Sequence, residues 1–174
     1  MLQNYNRYKL LKIFLFNPNE YFRLRELSRI SRISPPSVMN YLTEFEKEEL
    51  IRKYIKRNIP FYKGEIDNEE FRNSKKLAIL FELENSGVID FLWNGISPKA
   101  IILYGSFVKG ESTEGSDIDL FIIGKEKDID LKKYEKNLGF EVHLIFSEDF
   151  KKIPDELKNN LINGIVLRGY LKVF

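Results

Sequence analysis

The sequence predicts an α+β protein in two parts: a helical N-terminal part closed by a short hairpin, and a C-terminal part built around a mixed sheet. Three observations carry that prediction. Apolar residues recur at helical spacing up to Phe45, compact β-rich runs dominate after Pro98, and the charge divides between the two parts. Residues 1–66 carry a formal charge of +6 and the remainder −4, although the whole chain of 174 residues is only +2. Such asymmetry points to a nucleic-acid-facing part joined to an acidic part suited to cations.

Composition removes several chemistries. With no cysteine there is no disulfide, zinc ribbon, thiolate nucleophile or iron–sulfur cluster. The single histidine, His143, excludes every multi-histidine metal site and is the only histidine a Ser-His-Asp triad could use. No apolar run reaches the roughly 18 residues that span a bilayer, and no signal-peptide order stands at the N-terminus, so no membrane association and a cytoplasmic location are expected.

The first helix is expected over Tyr5 to Phe16, where Leu11, Phe14 and Leu15 fall at i, i+3 and i+4 and Asn17-Pro18-Asn19 ends the run. A second, shorter helix follows from Arg23 to Ser31, with Leu24, Leu27 and Ile30 three apart. Ser34-Pro35-Pro36-Ser37 then supplies an N-cap serine and first-turn prolines. In the third helix Val38, Tyr41, Leu42 and Phe45 share a face, leaving Ser37 and Asn40 elsewhere. Leu50 to Lys63 reads as two β-rich stretches around a basic turn.

That order of helix, helix, capped helix and basic hairpin resembles the winged-helix DNA-binding domains of prokaryotic regulators. Small polar side chains early in the third helix, Ser37 and Asn40, suit base edges, while Arg52, Lys53, Lys56, Arg57 and Lys63 suit phosphates. Duplex DNA is therefore the expected partner, with protein docking as the alternative use of the same domain.

Residues 67–97 read as connecting helices. Asp67 to Asn85 has acids in its first turn and is too apolar for a free linker, Val88 to Trp93 forms a short helix, and Gly95 to Pro98 breaks it. Residues 98–174 form the second domain. Lys99 to Tyr104 is a buried-type strand running into Gly105-Ser106, and ten residues after Ser106 comes Asp117-Ile118-Asp119, opening the strand Leu120 to Ile123. Gly110 and Ser116 complete the pattern.

Alternation places Asp117 and Asp119 on one strand face, about 6.6 Å apart along the backbone. At an effective dielectric of 20 they repel by about 2.5 kcal/mol, a cost that a divalent cation between them turns into attraction. With oxygen ligands alone, Mg²⁺ is the natural ion. Gly105 permits close backbone approach, Ser106 offers a hydroxyl and an N–H to phosphates, and Lys109 adds a positive charge.

The G-S-x10-D-x-D pattern resembles the polymerase-β-like nucleotidyltransferases, in particular their minimal, single-domain branch in bacteria and archaea. The resemblance implies a triphosphate held by Gly105 and Ser106 and a two-metal Mg²⁺ site at Asp117 and Asp119. It also implies transfer of a nucleoside monophosphate, AMP from ATP in the first instance, to a hydroxyl on a protein or small molecule. Minimal members often act on, or pair with, a partner protein in toxin–antitoxin systems; a homodimer stays open.

The family's third acid comes from a neighbouring strand. Here that strand is Phe140 to Phe146, with Glu141, His143 and Ile145 on one face. Three readings stand side by side: Glu141 completes the catalytic and metal site, His143 serves as ligand or base, or the domain binds nucleotide without turnover and the protein is a DNA-binding regulator. Asp130 to Asn137 and Pro154 to Asn163 are expected as surface helices, and Ile165 to Phe174 as an apolar tail packed on the sheet.

Overall fold

The computed structural model describes residues 5–173. The chain divides into two units, Met1–Ala78 and Ile79–Phe174.

The first unit runs α1 (Asn6–Phe16), α2 (Leu24–Ser31), α3 (Pro35–Lys47), β1 (Ile51–Lys56) and β2 (Ile59–Gly64). Of the residues their spacing marks, Leu11, Phe14, Leu15, Leu27, Val38, Leu42 and Phe45 are buried, whereas Leu24 and Tyr41 are half-buried and Ile30 is exposed, so α2 turns only Leu27 fully inward. The N–H of Asn17 closes α1 on the Ile13 carbonyl at 3.1 Å, and Ser34 Oγ caps α3 by accepting the Ser37 N–H at 3.4 Å. The hairpin pairs antiparallel from Ile51↔Gly64 to Lys56↔Ile59. Its two-residue turn holds Arg57 (φ 51°) and Asn58 (φ 60°) in the left-handed region, as the strand twist demands of so short a connection. A bridge between Phe22 and Tyr62, with both backbone hydrogen bonds at 2.9 Å, lays a third segment beside β2. Phe22 and Tyr62 are buried and so define the inner face of this small sheet.

Helix α4 (Glu69–Ser86) carries the chain from the first unit into the second. There follow α5 (Val88–Ile96), β3 (Ala100–Tyr104), α6 (Ser106–Lys109), β4 (Ile118–Ile123), α7 (Lys132–Leu138), β5 (Val142–Ser147), a 3-10 turn at Phe150–Lys152, α8 (Asp155–Ile162) and β6 (Ile165–Gly169). The sheet is mixed, in the order β5-β4-β3-β6, with β4 and β5 parallel and the other pairs antiparallel. The expected apolar tail divides in two: Leu171 and Val173 pack against the core of the sheet, Phe174 lies outside the described residues, and the first part is a strand. Ile165–Gly169 is a strand of the sheet itself, hydrogen-bonded along β3, because β3 would otherwise present an unpaired edge.

One face of this sheet carries Ala100, Ile102 and Tyr104 from β3 and Phe121 and Ile123 from β4; Phe150, Ile153 and Leu161 seal it. On the other face, Arg168 of β6 reaches Asp90 of α5 and, at 3.5 Å, Glu84 of α4. Strand β3 is buried along its whole length, which is why it reads as an unbroken apolar run rather than an alternating one. Among the described residues, no helix is long and apolar enough to cross a membrane.

Candidate functional site

The acids of the D-x-D pattern lie where the sealed face of the second sheet runs out. Asp119 stands opposite Tyr104 on β3 and opposite His143 on β5, sharing the face that Phe121 and Ile123 continue inward. Strand alternation puts Asp117, two residues earlier and more exposed, on the same side. The apolar floor therefore anchors the strand at one end and aims two carboxylates at the other.

Gly105 is required twice at this point. Its backbone takes φ 80°, a region that costs an L side chain, and the space a Cβ would fill is held by a carboxylate oxygen of Asp119. The Gly105 backbone and Asp119 thus touch directly, which places the Gly-Ser turn beside the acid pair. Ser106 opens the single turn α6, whose end is fixed by Gly110 at φ 74° and by the Glu111 N–H donating to the Ser106 carbonyl at 3.0 Å. Lys109 ends that turn and is exposed. Ser116 has a local task that the motif did not reveal: its Oγ accepts the Thr113 N–H at 2.8 Å and turns the chain into Asp117.

Burial, and then the charge of Asp119, pushes the Tyr104 hydroxyl up to about 12. Among the described residues, no lysine or arginine pairs with Asp117 or Asp119. Beside the Gly105 backbone, Asp119 meets the ring of His143, whose Nδ1 lies 3.4 Å from Oδ1. Two like charges on one face with no internal cation fit a divalent ion that brings its own phosphate oxygens, since Mg²⁺ commonly takes one or two carboxylates and leaves its other positions to substrate and water.

Glu141 lies next to the paired register of the two parallel strands. Its carbonyl accepts the Ile118 N–H at 2.9 Å, so it faces Asp117 one step outside the paired register, while His143 takes the place beside Asp119. Among the described residues no group of three or more His, Asp and Glu side chains is gathered closely enough to hold a metal.

In the first unit the candidate contacts separate into engaged and free. Ser37 shares its hydroxyl with Ser34 at 2.9 Å as part of the α3 cap, and Arg52 Nε is held by Glu65 at 2.6 Å. Asn40, Lys53, Lys56 and Arg57 are exposed and pair with no side chain among the described residues. Arg7, outside the hairpin, ties α1 to Glu44 and Glu48 of α3.

Residues 86–167, a little under half of the chain, match the family described as a nucleotidyltransferase domain. The matched span contains every strand that positions Gly105, Ser106, Asp117, Asp119 and His143. Nucleotidyl transfer in general is the activity class this similarity supports. No curated protein matches the chain.

Proposed function

We propose that the second unit is a Mg²⁺-dependent nucleotidyltransferase that passes AMP from ATP to a hydroxyl on a protein or small molecule. The observation that carries the reading is the acid pair Asp117 and Asp119, with no lysine or arginine partner among the described residues and with Asp119 packed against Gly105. Asp117 and Asp119 would hold Mg²⁺, which when bound neutralises the triphosphate and stabilises the charge of an in-line displacement. Ser106 and Lys109 bind and orient the terminal phosphates. The acceptor oxygen attacks the α-phosphorus, its proton passes to Asp119 or His143, and the bond to the departing pyrophosphate breaks.

The first unit is, in this reading, a winged helix that brings the transferase to duplex DNA. The capped α3, the hairpin and the Phe22–Tyr62 bridge support it. Asn40 is the free base-edge candidate, and Lys53, Lys56 and Arg57 are the free phosphate candidates.

One observation favours a second reading. A histidine, not a carboxylate, stands beside Asp119, and a site short of its third acid suits a regulator that binds nucleotide without turnover. Incubation with labelled ATP, GTP, CTP and UTP, Mg²⁺ and cell lysate separates the two, run beside Asp117→Asn/Asp119→Asn. A labelled product lost in the double variant, by about a hundredfold or more, supports transfer. A Mg²⁺-dependent thermal shift without product supports the regulator. Equal shifts in wild type and double variant remove the site assignment altogether.

A further inference from the structure

The outer face of the small sheet in the first unit carries aromatic rings that neither reading uses, beside two cations, Lys56 and Arg57, that the first reading gives to phosphates. Pairing places Arg52 opposite Lys63, Tyr54 opposite Phe61 and Lys56 opposite Ile59. Because Phe22 and Tyr62 turn inward, their neighbours Tyr21 and Arg23 join that outer face. The side chains agree: Lys63 Nζ lies 5.4 Å from the centre of the Tyr21 ring, and Arg23 Cζ lies 4.8 Å from that of Phe61. The rings of Tyr21 and Tyr54 meet edge to face at 5.3 Å.

These rings are not core. Tyr21 is 52% exposed and Tyr54 36%, and together with Phe61 they line an open hollow of about 460 Å³. A second hollow of about 330 Å³, lined by Arg23, Lys56 and Arg57 among others, also has Phe61 in its wall. No carboxylate lines either one. Glu65, the nearest acid along β2, is taken by Arg52.

A ligand for this face must bring flat apolar planes and negative charge together, repeated along one chain. A polynucleotide does so, but in a duplex the base planes are stacked inside and cannot reach a protein ring. We infer that the Tyr21, Tyr54 and Phe61 face of the hairpin sheet binds single-stranded nucleic acid, with unstacked bases on the rings and phosphates at Lys56, Arg57 and Lys63. Charge complementarity and ring exposure both select this occupant over a protein segment, whose side chains do not repeat an anion with each plane. The inference is independent of nucleotidyl transfer, since Asp117 and Asp119 take no part in it.

The test is fluorescence anisotropy of a labelled single-stranded DNA dodecamer and of the same sequence as a blunt duplex, with the full chain. The single strand is expected to bind more tightly. Tyr54→Ala and Phe61→Ala should each weaken it roughly 5- to 150-fold, Tyr54→Phe should retain wild-type affinity, and Lys56→Gln/Lys63→Gln should lower the salt slope by roughly 0.7 per lost contact. Asp117→Asn/Asp119→Asn should bind like wild type, so loss of transfer and loss of strand binding remain separate results. If Phe61→Ala fails to fold, Tyr21→Ala/Tyr54→Ala, at two exposed positions, decides. Tighter duplex binding, or unchanged affinity in a folded Tyr54→Ala chain, overturns the inference.

Discussion

Both units present charged groups on a β-sheet, but they fix those groups by different means. In the second unit Asp119 is flanked by two register partners, backed by an apolar face and pressed against a glycine with no room for a side chain. In the first unit Lys53, Lys56 and Arg57 stand on a hairpin whose first strand is exposed from Arg52 to its end. The acid site is therefore specified by geometry, the basic hairpin by composition. A site held by packing tolerates few substitutions and takes one kind of ligand, whereas a charged hairpin tolerates many and discriminates weakly.

Gly105→Ala attacks the geometric side of that contrast and should have the largest effect. The new Cβ meets both the left-handed backbone at φ 80° and the Asp119 carboxylate, so either the turn or the acid must move. A stability loss of about 1–3 kcal/mol is expected, together with loss of the Mg²⁺-dependent thermal shift given by ATP. Urea unfolding and thermal melts with and without ATP and Mg²⁺ measure both parts. A variant of wild-type stability that still responds to ATP would show that the Gly-Ser turn and the acid pair are not coupled.

The legibility of the two units follows the same division. Helical spacing marks Phe14, Leu15, Leu27, Val38, Leu42 and Phe45 correctly, because a half-buried helix writes its period into the sequence, while Ile30, marked by the same period, is exposed at the end of a short helix. The unbroken run at β3 and the G-S-x10-D-x-D spacing were equally visible, since each residue there answers to a local constraint. What escaped was pairing between distant segments. Ile165–Gly169 looks alike as a packed tail or as an edge strand until its partner β3 is known, and three apolar residues carry no period that separates the two. The neighbour of Asp119 depends on the parallel register between β4 and β5, which the intervening crossover sets. Alternation put Glu141 and His143 on one face, and only the register shows that His143 is the one paired with Asp119. Engagement of Ser37 by Ser34 and of Arg52 by Glu65 was likewise invisible, because composition records a charge or a hydroxyl and not its partner.

His143→Asp sharpens the comparison from inside the site. The substitution places a carboxylate in direct register with Asp119, giving three acids where the chain has two acids and an imidazole. Without metal the added repulsion, on the order of a few kcal/mol at a high effective dielectric, should lower stability. With Mg²⁺ the sign reverses, and affinity should rise about tenfold because cation affinity follows the ligand charge count. Mg²⁺ titration followed by thermal melting measures both. Unchanged Mg²⁺ affinity would mean that the ion, where it binds, does not reach β5, and the search for a third ligand would move to Glu141.

The smallest effect belongs to the hairpin, and its sign should be opposite to that of Gly105→Ala although both residues have a positive φ. Arg57 sits at φ 51° with a Cβ that the left-handed conformation disfavours by roughly 1–2 kcal/mol, and it is exposed, so no neighbour requires its side chain for packing. Arg57→Gly removes the steric cost, while the greater freedom of glycine in the unfolded chain offsets part of the gain. A net stabilisation of about 0.5–1 kcal/mol is expected from urea unfolding. The same variant should bind DNA less well and with a shallower salt dependence, because one phosphate contact is gone. Stability and binding would then move in opposite directions at one residue, as they must where a cation is kept at a strained turn for its ligand. If Arg57→Gly instead destabilises the hairpin and leaves the salt slope unchanged, Arg57 serves the turn rather than a phosphate, and the free cations of the hairpin reduce to Lys53 and Lys56.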